Sequence, residues 1–140
     1  MTADVSVSAP AWVDVCAYDD LIPERGAAAL VRGRQVAVFR TYEGDLYALS
    51  HRDPFSGAYV LARGILGTRG GVPTVASPMY KQVFDLRTGR CLDDPAHVVP
   101  AFRIRRTPAD RVEIAVEAAA VDAADVADAV VDAAVGVTGP

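Results

Sequence analysis

Ser77-Pro78-Met79-Tyr80-Lys81-Gln82-Val83-Phe84-Asp85-Leu86-Arg87-Thr88-Gly89-Arg90-Cys91 is the stretch on which the reading of the chain turns. Ser77-Pro78 opens a turn, because proline fixes φ and drives the residue before it out of the helical region. Gln82 to Leu86 is a short β-prone run, and Arg87-Thr88-Gly89-Arg90 is a tight turn. Cys91 follows that turn as a small apolar filler. This turn–strand–turn rhythm leaves no room for a helix.

The same rhythm extends in both directions. Residues 1–10 end in Pro10 and read as a flexible leader. Trp12-Val13-Asp14-Val15 alternates apolar and polar, as a half-buried strand does. After a loop at Asp19, Asp20 and Pro23, Ala27–Val31 and Gln35–Tyr42 form a hairpin about Arg32-Gly33-Arg34. Glu43-Gly44-Asp45 is a turn into the strand Leu46–Leu49. From His51 to Pro73 the strand rhythm stops, and the stretch, with Gly64, Gly67 and Gly70-Gly71, reads as one long loop, of a length that is uncommon in a small β domain and usually functional. Strands resume at Thr74–Ala76. An irregular connection from Asp93-Asp94-Pro95 to Pro100 leads to a last hairpin, Phe102–Thr107 with Arg111–Val116, around Pro108-Ala109-Asp110. Eight or nine short strands with little helix predict an all-β domain over 11–116, an antiparallel β sandwich or partly open barrel.

Composition narrows the function. Hydrophobic residues are 51% of the 140 and charged residues 23%, proportions of a globular chain rather than a disordered one. No apolar run approaches the length needed to cross a bilayer, so the expectation is a cytoplasmic protein without a membrane partner. All fourteen bases precede residue 112, while Glu117, Asp122, Asp125, Asp128 and Asp132 sit in an Ala/Val/Asp-rich tail over 117–140. Without that tail thirteen acids face fourteen bases, a balance that excludes a nucleic-acid binder. The valines of the tail fall all round a helix, so it reads as weakly helical or disordered. Two cysteines, Cys16 and Cys91, are too few and too far apart for a disulfide scaffold or a thiolate metal site.

Two segments carry a recognisable frame: Asp53-Pro54-Phe55-Ser56-Gly57-Ala58, and the Ser77–Cys91 stretch. Together they resemble the two cluster-binding loops of Rieske domains, C-P-x-H-x-G-A (in many members C-x-H-x-G-A) and C-P-x-H-G followed by F-D-x-x-T-G-x-C. Pro54, Gly57, Ala58, Pro78, Phe84, Asp85, Thr88, Gly89 and Cys91 hold their places. The ligand positions do not: Asp53 and Phe55 stand in the first loop, Ser77 and Tyr80 in the second. A Rieske centre needs two thiolates and two imidazoles. The resemblance therefore implies a Rieske-like iron–sulfur-domain fold without a cluster, and no cofactor, metal or catalytic residue on this chain.

With the Arg63-Gly64-Ile65 element and Cys91-Leu92-Asp93-Asp94-Pro95, the two loops are similar to those of one family, the small subunit of the assimilatory NAD(P)H-dependent nitrite reductase. The resemblance implies an accessory subunit, inactive alone. Its large-subunit partner would carry flavin (FAD), a [4Fe-4S] cluster and sirohaem for the six-electron reduction of nitrite to ammonium. It further implies that the two loops converge on one apex. Met79, Tyr80 and Lys81 are the expected partner interface, while Phe55 and Tyr80 could instead plug the vacated cluster space. Two alternatives remain: a Rieske-type [2Fe-2S] electron-transfer protein with unusual ligands, and a cluster-free interaction module of another oxidoreductase.

Three further groups read as structural. Gly64–Gly71 lacks the order of a nucleotide-binding loop. His51 has no accompanying nucleophile motif and reads as a hydrogen-bonding loop residue. Arg103, Arg105 and Arg106 read as a solvated basic face, or as one that pairs with acids of a partner.

Overall fold

The computed structural model describes residues 11–116 and 137–138. The leader and the tail expected over 1–10 and 117–140 lie outside the described residues, apart from Val137–Thr138. The described strands are β1 (Ala11–Ala17), β2 (Arg25–Val31), β3 (Arg34–Arg40), β4 (Leu46–Ser50), β5 (Ile65–Arg69), β6 (Val72–Ala76), β7 (Val83–Asp85), β8 (Ala101–Arg106), β9 (Arg111–Val116) and β10 (Val137–Thr138). Two single 3-10 turns, Tyr18–Asp20 and Leu61–Arg63, are the helical elements among them. The strands form a seven-stranded antiparallel sheet, ordered β1-β9-β8-β4-β3-β2-β10, and a three-stranded sheet, ordered β5-β6-β7.

The large sheet curls, and β3 shows why. Val36, Val38, Ala37 and Phe39 are all wholly buried, because alternate side chains of β3 enter two different cores. Val36 and Val38 join Ala27 and Ala29 of β2, Cys16 of β1, and Val112 and Ile114 of β9. Strands β1 and β2 stand far apart in the order of the sheet yet share this core, so the sheet wraps into a partly open barrel. Ala37 and Phe39 face the other way, onto Val75 and Phe84 of the small sheet and onto Leu61 and Cys91. Withdrawing a phenylalanine such as Phe39 or Phe84 from water stabilises the fold by about 2–3 kcal/mol. Sandwich and open barrel thus coexist: the barrel encloses one core, and the small sheet covers the outside of its wall.

The strands expected from the sequence are present, with one correction. The supposed long loop contains β5, paired with β6 from Ile65 opposite Ala76 to Arg69 opposite Val72. Gly70 (φ 59°) and Gly71 (φ 82°) form the two-residue turn that joins them. Four of the five β5 residues are exposed, so no apolar alternation marks the strand and backbone pairing defines it. The glycine pair between two short runs was the signal for the hairpin. Two-residue tightness recurs at Arg32 (φ 52°) and Gly33 (φ 83°), between β2 and β3.

Candidate functional site

Between β4 and β5 lies loop one, Asp53–Ala58; between β6 and β7 lies loop two, Ser77–Gln82. Their backbones repeat each other. The Asp53 N–H donates to the Ala58 carbonyl at 2.8 Å, and the Ser77 N–H to the Gln82 carbonyl at 2.9 Å. The Gly57 N–H donates to the Asp53 carbonyl at 2.7 Å, and the Lys81 N–H to the Ser77 carbonyl at 3.0 Å. Each first side chain then accepts from the residue two further on: Asp53 Oδ1 from the Phe55 N–H at 2.8 Å, Ser77 Oγ from the Met79 N–H at 3.2 Å. A left-handed residue completes each turn, Gly57 at φ 78° and Lys81 at φ 64°. Glycine tolerates that conformation freely, whereas lysine adopts it against steric resistance.

The expected convergence of the loops is present, made by a side-chain contact. Asp53 and Ser77 are 0% and 1% exposed, and the Ser77 hydroxyl donates to Asp53 Oδ2 at 2.5 Å. Asp53 Oδ1 accepts from Phe55 and, at 3.4 Å, from the Ser56 N–H. The two first-position side chains of the Rieske-like frame thus spend their oxygen atoms on each other and on loop backbone. A buried carboxylate is tolerable because its lone pairs are met in this way.

The other two ligand positions diverge. Phe55 is half-buried, its ring centroid 4.3 Å from that of His97 and 6.2 Å from that of Phe84, and it packs against the second core. Its ring is therefore turned toward the second core rather than outward. Tyr80 is not: it is 60% exposed, and beside it Met79 is 46% exposed and Lys81 is exposed. His97 was not marked by any spacing in the sequence. It is held by Asp94, Nδ1 to Oδ2 at 3.1 Å, and lies over Phe55 as part of the 93–100 connection.

A [2Fe-2S] cluster does not fit this donor set. Phe55 has no donor atom, Tyr80 turns outward, and the Asp53 and Ser77 oxygens, hard donors in any case, are committed to each other. No group of three or more His, Cys, Asp or Glu residues among the described residues is arranged to hold a metal. Cys91 is wholly buried in the second core. Cys16 lies in the first core, where burial together with the nearby Asp20 carboxylate pushes its thiol pKa up to about 11 and keeps it protonated at neutral pH.

The remaining residues singled out in the sequence hold the frame together. His51 is buried; its Nδ1 accepts from the Ala62 N–H at 3.1 Å, and its carbonyl from the N–H groups of Val60 and Leu61. It thereby ties the end of β4 to the Leu61–Arg63 turn. Arg105 pairs with Glu113 at 2.6 Å and lies 3.9 Å from the centroid of the Trp12 ring. Arg106 pairs with Asp110 at 2.9 Å and lies 3.7 Å from the centroid of the Tyr18 ring. Arg103 lies 5.6 Å from the centroid of the Trp12 ring. This basic face is consumed within the chain. Behind loop two, burial favours the neutral form of Asp85, but the Arg87 guanidinium and the Arg87 N–H outweigh it and hold the carboxyl below its ordinary 3.8.

The family model described as the Rieske-like [2Fe-2S] domain matches residues 11–115. The chain is 42% identical over 95 residues to the nitrite reductase (NADH) small subunit of Escherichia coli K12, covering 67% of this chain and 88% of that one. It is 40% identical over 94 residues to part of the NAD(P)H nitrite reductase large subunit of Klebsiella oxytoca, covering 67% of this chain and 10% of that one. A crystal structure from Mycobacterium tuberculosis, assigned as an NADH-dependent nitrite reductase small subunit, superposes with a TM-score of 0.75 at 49% identity, covering 76% of this chain and 96% of the other.

Proposed function

The chain belongs to the Rieske-like [2Fe-2S] domain family and, within it, to the nitrite reductase (NADH) small subunits, and from that premise we propose that it is the accessory subunit of an NAD(P)H nitrite reductase, docking through its loop tip on a cytoplasmic large subunit. The observation that carries this reading is the Klebsiella match. There a segment 40% identical to this one is part of the polypeptide named the large subunit. A domain found within its partner's own chain has a working position against that partner.

The large subunit, in this reading, holds FAD, a [4Fe-4S] cluster and sirohaem, and delivers six electrons from NAD(P)H to nitrite. This chain supplies a surface and no redox centre. Support comes from the mutual commitment of Asp53 and Ser77 and from the inward plug of Phe55, which together make the loop pair a rigid unit without metal. The docking tip is Met79, Tyr80 and Lys81, residue types enriched at the centres of interfaces apart from the lysine, which suits a rim. Among the described residues no helix is long and apolar enough to cross a membrane.

The test is co-expression of the large subunit with and without this chain, reading nitrite consumption and ammonium formation. The chain alone is expected to be inert, and its omission to lower turnover or the yield of active complex. Unchanged turnover and yield would refute the accessory role. Stoichiometric iron and acid-labile sulfide in the purified chain would favour the electron-transfer alternative.

A further inference from the structure

Charge is unevenly committed across the molecule. The described parts of the large sheet and its loops, residues 11–50 and 101–116, carry eight bases and eight acids; residues 51–100 carry six bases and four acids. All four of those acids are engaged. Asp53 is buried against Ser77, Asp85 binds Arg87 at 3.1 Å, Asp93 binds Arg69 at 3.0 Å, and Asp94 binds His97 at 3.1 Å. Arg52, Arg63, Lys81 and Arg90 are left without an acidic partner among the described residues, and all four are exposed.

Three of these four gather at the tip. Arg52 precedes loop one and lies along it: a Cβ placed on Gly57 would sit 3.4 Å from Arg52 Nη2. Gly64 packs so closely on β6 that a Cβ there would meet the Ala76 carbonyl oxygen at 2.5 Å, which brings Arg63 and Ile65 beside the stem of loop two. Lys81 is in loop two itself. Arg90, beyond the other end of β7, is the exception.

Apolar surface accompanies these charges. Leu66, Val75 and Phe84, side by side across the small sheet, turn into the second core, so the neighbouring row Ile65, Ala76 and Val83 turns outward. Ile65 is 77% exposed, on the edge strand β5 and opposite Ala76, the residue that precedes loop two. Exposed isoleucine, methionine and tyrosine at the loop-two end of the small sheet, in the company of uncompensated cations, are the make-up of a docking face rather than of an ordinary solvated surface.

We propose that Ile65, Met79 and Tyr80, together with Arg52, Arg63 and Lys81, form one cationic–apolar docking face whose counterpart on the large subunit is an apolar depression bordered by carboxylates. This rests on the docking role proposed above and adds the extent of the face and the charge of its partner. The cations steer and strengthen association, and the three apolar side chains are buried once contact is made.

Affinity of the full-length chain for the purified large subunit, measured from low to high NaCl, tests the assignment. Kd is expected to rise with salt. Arg63→Glu and Lys81→Glu are each expected to raise Kd about tenfold at low salt and to flatten its salt dependence. Arg90→Glu, which makes the same charge change away from the tip, should bind like the unaltered chain. Thermal unfolding of each variant separates a lost contact from a lost fold, and Ile65→Asp supplies a second route to the same face. Binding that is tight but indifferent to salt and to all three tip substitutions overturns this inference and leaves the accessory role standing. Absence of binding by the unaltered chain at any salt overturns the accessory role itself.

Discussion

Loop one, Asp53–Ala58, and loop two, Ser77–Gln82, close with the same hydrogen bonds and put their side chains to opposite uses. In loop one Phe55 turns into the molecule, between His97 and Phe84, and the left-handed position is a glycine. In loop two Met79 and Tyr80 turn out, and the left-handed position is a lysine. One loop is a plug and the other a display. Backbone geometry is therefore independent of what the loop does; the surroundings of each side chain decide that. Asp53 and Ser77, meeting between the loops, join the plug to the display.

The largest effect that can break this comparison is on stability. Phe55→Ala is expected to lower unfolding free energy by about 3 kcal/mol in denaturant titrations, from lost burial and the cavity left under loop one. Tyr80→Ala should change it by less than about 0.5 kcal/mol, as an exposed substitution does. Equal losses would mean that both loops plug.

Next in size is the contact between the loops. Asp53→Ala strands the Ser77 hydroxyl and the Phe55 N–H, and is expected to cost about 2 kcal/mol by the same measurement. Asp53→Asn, which keeps an acceptor and a donor, should cost about half of that. A loss no smaller for Asn than for Ala would show that the negative charge, not the hydrogen bonding, is what the site needs.

A smaller pair of substitutions has opposite signs. Gly57→Ala places a Cβ at φ 78° and is expected to destabilise by about 1 kcal/mol, while Lys81→Gly relieves φ 64° and is expected to stabilise by about 0.5–1 kcal/mol. The Lys81→Gly chain should at the same time bind the large subunit more weakly. Greater stability with poorer association is the signature of strain retained for a surface role.

The smallest effect is pH-dependent and belongs to the flank of loop two. The Val83 N–H, and then the Arg69 guanidinium, hold the Asp93 carboxyl below its ordinary 3.8. A depressed carboxylate stabilises the fold above its unfolded pKa, and that contribution disappears as pH falls through the folded value. The midpoint difference between the unaltered chain and Asp93→Asn should thus be present at pH 7 and vanish on acidification below about 3.8. Because Asp93 is exposed, the difference is expected to be well under about 1 kcal/mol. A difference that persists in strong acid would place the role of Asp93 in shape rather than charge.

Much of this was legible in the chain. Arg111–Val116 is a strand with the boundaries its pattern indicates, and Arg32-Gly33 turns where a hairpin was expected. The substitutions at the four Rieske ligand positions are visible in the letters alone. What escaped was β5, whose exposed side chains carry no apolar alternation. His97 escaped too, since it reaches Phe55 from 42 positions further along the chain. Arg103, Arg105 and Arg106 are equally open in sequence to a partner or to solvent, and in the fold are spent on Trp12, Tyr18, Glu113 and Asp110.

By itself the sequence determined the all-β rhythm, the two loop frames and the loss of metal-binding side chains, because each depends on residues close together along the chain. Only the tertiary structure decided that Phe55 turns inward and Tyr80 is displayed, that Asp53 and Ser77 meet across 24 positions, and that β3 serves two cores. Those outcomes depend on which surfaces face each other after the sheet curls, and burial, not local preference, sets the fate of a side chain there.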